Sequence, residues 1–105
     1  MDVLVFYSPV DSTKDVLAAV FAAGAGAIGD YSECAWFVEG TGQFRPGADA
    51  NPAIGAVGNL ERLPEHRVEV TFPKPLRQQV VAALRAAHPY EEPAFHVIEA
   101  ADPDA

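Results

Sequence analysis

Hydrophobic and polar positions along the chain fall into six segments. Asp2 to Tyr7 is a short run of Val, Leu and Phe closed by Ser8-Pro9, which predicts a strand. Val16, Leu17, Val20 and Phe21 recur at helical spacing, and Gly24 is a natural stop for that helix. Ser12 with Asp15 three residues later resembles a capping box at its start, Asp standing in for the usual Glu or Gln. Tyr31 to Glu39, with Cys34, Trp36, Phe37 and Val38, predicts a second strand. Residues 40–58 are rich in Gly, Pro, Ala and Asn and predict a long loop or loose hairpin extension, about 40–60 in all. Arg67 to Phe72 alternates, with Val68, Val70 and Phe72 on one face and Glu69 and Thr71 on the other. Pro75 suits the first turn of a second helix. Its apolar face is Leu76, Val80, Ala83, Leu84 and Ala87, and Pro89 ends it. Ala94 to Ala100 predicts the last strand, and 101–105 is a polar tail.

The order is β-α-β-β-α-β in one domain spanning residues 1–105. Its usual solution is an α+β, ferredoxin-like sandwich: an antiparallel four-stranded sheet with both helices on one face. The open face of such a sheet should be polar, and here it does not read that way. Val3, Val5 and Tyr7 lie on one face of the first strand and Leu4 and Phe6 on the other. Trp36 and Phe37 point opposite ways, as do Val97 and Ile98. Burying one such side chain contributes about 1.5–3 kcal/mol, so several left wet call for cover. Further copies of the chain are the expected cover, with the long loop folded back as the alternative.

Composition narrows the partners. Seven Lys and Arg against fifteen Asp and Glu give a net charge of −8, which repels nucleic acid and anionic lipid. One cysteine, Cys34, excludes an internal disulfide and fits a reducing cytoplasm. The N-terminal residues read as a strand, not a leader, and no run approaches the length of a membrane span. GAGAIG at 24–29 matches a dinucleotide fingerprint only as letters. That motif needs a strand before it and a helix after it, and here the order is reversed. The glycines would face a helix C-terminus, which disfavours phosphate. A helix cap followed by a tight turn is the expected structure.

The segments 24–31, Gly40-Thr-Gly-Gln-Phe-Arg-Pro46, Asn51-Pro-Ala-Ile-Gly55, Gly58 with Glu61, 65–69 and His88-Pro-Tyr-Glu-Glu-Pro-Ala94 together resemble the insert domain of the Nif-three-like proteins, also called GTP cyclohydrolase I type 2 homologues. The resemblance covers roughly residues 3–99. The 88–93 segment is also similar to the last helix-to-strand junction of CutA, the divalent-ion tolerance protein. Both resemblances imply a P-II/CutA-like fold assembled as a homotrimer. In full-length relatives the two-metal site lies in domains flanking the insert, and those are absent from these residues. The expectation is a free-standing insert without hydrolase activity.

The candidate residues follow. His88, Glu91 and Glu92 cluster at the end of the second helix, and imidazole with carboxylate suits a divalent cation, the one cofactor these residues fit. The structural reading of the same residues is a helix-end donor in His88 and a backbone-accepting carboxylate in Glu91. Tyr90 is placed at a subunit contact. Cys34 is read as a buried strand cysteine, with a metal or redox role as the functional alternative. Arg45 and Arg67 are expected to pair with Glu61, Glu65 and Glu69 across an interface, or to form an anion site with the glycine-loop amides. No G-x-S-x-G, P-loop or C-x-x-C is present. The leading functional expectation is a non-enzymatic trimeric binding or regulatory module. Its small ligand or partner protein would sit at subunit clefts and the 40–60 loop. The alternative is a CutA-like metal-binding protein using His88 with Glu91 or Glu92.

Overall fold

The computed structural model describes residues 1–105. Four strands, β1 (Asp2–Pro9), β2 (Trp36–Phe44), β3 (Glu61–Phe72) and β4 (Phe95–Glu99), form one antiparallel sheet in the order β2-β3-β1-β4. Helices α1 (Thr13–Ala22) and α2 (Arg77–Ala87) follow β1 and β3, each entered through a single 3-10 turn. This is the α+β, ferredoxin-like βαββαβ sandwich that the pattern predicts.

Period two in the strands and period 3.6 in the helices meet in one core. Leu4 and Phe6 of β1 and Val68, Val70 and Phe72 of β3 face Val16, Leu17 and Val20 of α1 and Val80 and Leu84 of α2. The register places Phe6 between Val68 on β3 and Phe95 on β4, at the centre of the helix-covered face. Asp2 and Glu99 are cross-strand partners on the same face, and Arg77 at the start of α2 binds both, at 2.8 and 2.7 Å. The guanidinium holds both carboxyls below their ordinary range.

The glycine stretch is a helix terminator. The Ala25 N–H bonds Val20 O and the Gly24 N–H bonds Phe21 O, both at 3.0 Å, with Gly24 at φ +107°. This is the paired-bond C-terminal motif that requires a left-handed residue. A Cβ on Gly24 would also meet Leu76 Cδ1 at 2.6 Å. Ser12, by contrast, makes no capping bond. Its backbone is already helical because the preceding 3-10 turn runs straight into α1.

Two strand boundaries differ from expectation. β2 begins at Trp36 and runs through Gly40 and Gly42 to Phe44. Residues 31–35 instead belong to a loop pinned by the Cys34 N–H to Gly26 O. Glycine is a poor strand former, but Gly42 lies under the Glu65 side chain, in space a Cβ would occupy. β3 begins at Glu61, six residues before its alternating segment, and includes Pro64. β1 ends opposite Glu65, so Pro64 has β2 on one side and no neighbour on the other. Proline is tolerated at such an edge. The last rungs of β2 and β3 therefore project beyond the sheet as a two-stranded ribbon, and the molecule measures 48 × 24 × 24 Å.

Candidate functional site

At the base of that ribbon, three segments far apart in sequence meet. The loop after β2 closes on itself: Arg45 Nη1 donates to Gly58 O and the Gly58 N–H to Pro46 O, each at 2.8 Å. The Asn51 N–H then donates to Glu91 Oε1 at 3.3 Å, tying this loop to the segment between α2 and β4. Between them lies a cleft of about 330 Å³, bordered by Tyr7, Phe44, Glu65, Tyr90, Glu91 and the loop residues from Arg45 to Ile54. The rings of Phe44 and Tyr90 meet edge to face with centroids 5.5 Å apart.

His88 sets the position of Tyr90. It is buried, and its Nε2 lies 2.6 Å from Tyr7 O while its Nδ1 lies 3.1 Å from the Tyr90 N. A carbonyl only accepts and an amide N–H only donates. The ring is therefore the neutral tautomer with the proton on Nε2. Burial lowers the His88 pKa, outweighing the opposing pull of the Tyr7 carbonyl and Glu65. The Tyr90 hydroxyl donates to Glu65 Oε2 at 2.9 Å. Burial, then the Glu65 bond and charge, push the phenol well above its ordinary pKa, so it stays a neutral donor.

The predicted residues scatter accordingly. Glu91 accepts a backbone hydrogen as expected, and Glu92 and Arg45 also border the cleft. His88, Glu91 and Glu92 are not drawn together into one set of ligands. Both His88 nitrogens are occupied within the fold, and no three His, Cys, Asp or Glu side chains gather into a metal-holding group. Arg67 lies on the open sheet face. It pairs with Glu69 at 3.4 Å, and its guanidinium sits 6.0 Å from the Tyr7 ring centroid. It borders a second, smaller hollow beside Val38. Glu65 binds Tyr90, so it is not a partner for either arginine within the chain. The expected anion site is not assembled. Arg45 follows the strand that pairs with the start of β3, whereas Gly26 is tied to Thr71 near its other end. Cys34 is half-buried in the glycine-rich loop, not in a strand, with its sulfur 3.8 Å from Ser32 O.

One group of chemically suggestive residues went unread in the sequence. Ser8 Oγ lies 2.7 Å from Thr13 Oγ1, which lies 2.8 Å from His66 Nδ1. Ser8 is fully buried, so this hydroxyl–imidazole chain fastens α1 to the sheet and presents no nucleophile. The cleft members Tyr7 and Phe44 also escaped notice. Tyr7 reads as an ordinary strand aromatic and Phe44 as part of the long loop, and only the ribbon's geometry turns them toward a cavity.

The open sheet face completes the picture. Trp36, Val38 and Ile98 remain 57, 46 and 45% exposed around a buried Val5. The paired faces expected from alternation are present.

No family model matches the chain. Over 103 residues, 98% of its length, it is 55% identical to the GTP cyclohydrolase 1 type 2 homolog of Mycobacterium tuberculosis, of which it covers 27%. A solved Bacillus cereus protein related to NIF3 superposes with a TM-score of 0.78 at 40% identity, over 92% of this chain and 24% of that one. CutA1 from Pyrococcus horikoshii superposes with a TM-score of 0.69 at 17% identity, over 97% of this chain and 85% of that one, a likeness of fold. The chain thus spans about a quarter of the length of the curated relatives it matches. It is a homologue of that segment of the Nif-three-like proteins, with a P-II/CutA-like fold.

Proposed function

We propose that this homologue of the Nif-three-like insert segment is a non-enzymatic binding module that assembles as a homotrimer in the cytoplasm and takes a ligand in the cleft at the base of its ribbon. The observation that carries the reading is the unfinished open face. Three large apolar side chains stay half-exposed on an otherwise ordered sheet. A patch of this kind on a small domain marks an interaction surface, and closed symmetric assembly is its commonest use. The CutA-like fold supports the same arrangement by analogy. The cleft supports the binding role, since concave sites with aromatic walls and a few polar groups are where small ligands bind. The buried Ser8 argues against acyl-transfer chemistry.

Light scattering behind a sizing column, with and without a chelator, tests the assembly. A mass near three chains in both runs is the expected outcome. A single-chain mass in both would sink it. Collapse only in chelator would restore the metal-dependent alternative.

A further inference from the structure

We propose that the ribbon-base cleft binds a small organic ammonium ion, an inference that rests on the reading of this cleft as the ligand site. Three carboxylates border it, Glu65, Glu91 and Glu92. None has a cationic partner, because the ion pairs of the chain lie elsewhere, on Asp2, Glu69 and Glu99. The one cation on the rim, Arg45, spends a guanidinium donor on Gly58 O within its own loop. The cleft is therefore short of positive charge by its own residues.

The walls choose among cations. An anion meets three carboxylates. A neutral apolar molecule would strip water from those carboxylates and return nothing. A bare divalent metal finds no converging set of three donors. Aromatic faces and apolar walls suit a cation spread over carbon. Phe44 and Tyr90 supply rings inclined at 62°, and Pro52 and Ile54 supply apolar wall. The Tyr90–Glu65 bond uses Glu65 Oε2 and orients the carboxylate. Tyr7 adds a third ring, although the Arg67 guanidinium lies 6.0 Å from its centroid and donates to its hydroxyl at 3.4 Å. A volume of about 330 Å³ is near the lower end of the usual range of ligand sites, about 300–1,000 Å³, and favours a few-carbon amine.

The test is an amide-resonance titration of the labelled full chain. The probes are butylammonium, butyltrimethylammonium, butanol and butyrate. Both cations should produce saturable shifts at Phe44, Tyr90 and Glu91, weakening as salt is added, while butanol and butyrate do not. Glu65→Gln should weaken cation binding about tenfold, the loss of one charge-assisted contact. Glu92→Gln, an exposed change that leaves the fold alone, should weaken it severalfold and keeps the test open if Glu65→Gln misfolds. Nα-acetyl-lysine methylamide separates two sources of the same chemistry. Tighter binding than butylammonium points to a lysine side chain, and weaker binding to a free amine. Shifts with butyrate or butanol but no cation, or no shifts at all, overturn the proposal. Light scattering on the same samples keeps the two readings apart. Three chains without amine binding refute the ligand class alone, and amine binding by a single chain refutes the assembly alone.

Discussion

The two faces of the sheet are built from alternate residues of the same strands, yet they end in opposite states. On the helix side, Leu4, Phe6, Val68, Val70 and Phe72 are almost completely removed from water. On the other side, Val5 is buried among its strand neighbours while Trp36, Val38 and Ile98 stand half in solvent. The strands treat both faces alike, so the difference lies in what has been laid against them. Helices come from the chain itself and cover the middle of one face, leaving only Phe37 half-exposed toward its β2 edge. No helix of the chain lies against the other face.

The largest effect should follow from breaking the finished face. Phe6→Ala should cost about 3–5 kcal/mol in denaturant unfolding, since it empties a fully buried ring site between three strands. A loss under about 1 kcal/mol would mean that the helix-side packing is not the main source of stability. The unfinished face should respond in the reverse manner. Trp36→Glu with Val38→Glu should leave the circular dichroism and unfolding midpoint of the chain nearly unchanged. The mass in light scattering should fall from about three chains to one. Unchanged mass would move the interface elsewhere.

His88 gives a sharper test, because it joins the end of α2 to β1 through a tautomer that must stay neutral. In the unfolded chain it takes up a proton near the ordinary value of about 6.5, whereas in the fold burial holds that uptake to lower pH. Its contribution is therefore complete above about pH 6.5 and declines as pH falls toward the lowered folded value. Protonation also places a hydrogen on Nδ1 against the Tyr90 N–H. His88→Ala should cost about 1–3 kcal/mol by leaving a carbonyl and an amide unpaired, and should flatten the stability profile between neutral and mildly acidic pH. An unchanged slope would assign that limb to other groups. The smallest effect is expected from Arg77→Ala. Asp2 and Glu99 should then titrate nearer their ordinary values, seen in carboxyl resonances, and the acid limb of stability should shrink. The sign is that of a depressed carboxyl: its contribution is present above the unfolded value and lost as pH falls through the folded one.

Much of the frame was legible because local pattern and global packing agree there. β1, both helices and β4 lie close to where periodicity puts them, and the Gly24 turn follows from helix-end chemistry alone. The ribbon was misjudged for one physical reason. Gly40 and Gly42 belong to a stretch that reads as a loop or loose hairpin extension, yet both pair within β2, and Gly42 sits where the Glu65 side chain crosses. The cleft was legible only in part. Its bonds join Asn51 to Glu91 and Glu65 to Tyr90, separations of 40 and 25 residues that no local pattern records. His88 is the plainest case. Its neighbours in sequence suggest a metal, but a carbonyl 81 residues away claims the ring.

The pairing of Asp2 with Glu99 has a consequence for architecture at larger scale. The start of the first strand and the finish of the last face each other across one rung of neighbouring strands, about 5 Å apart. A chain could leave a host structure, build this whole domain and return almost to its point of departure. Such a domain can be spliced into a surface loop with little strain on the host fold, and its ribbon and cleft would then be held outward like a tool on a short handle.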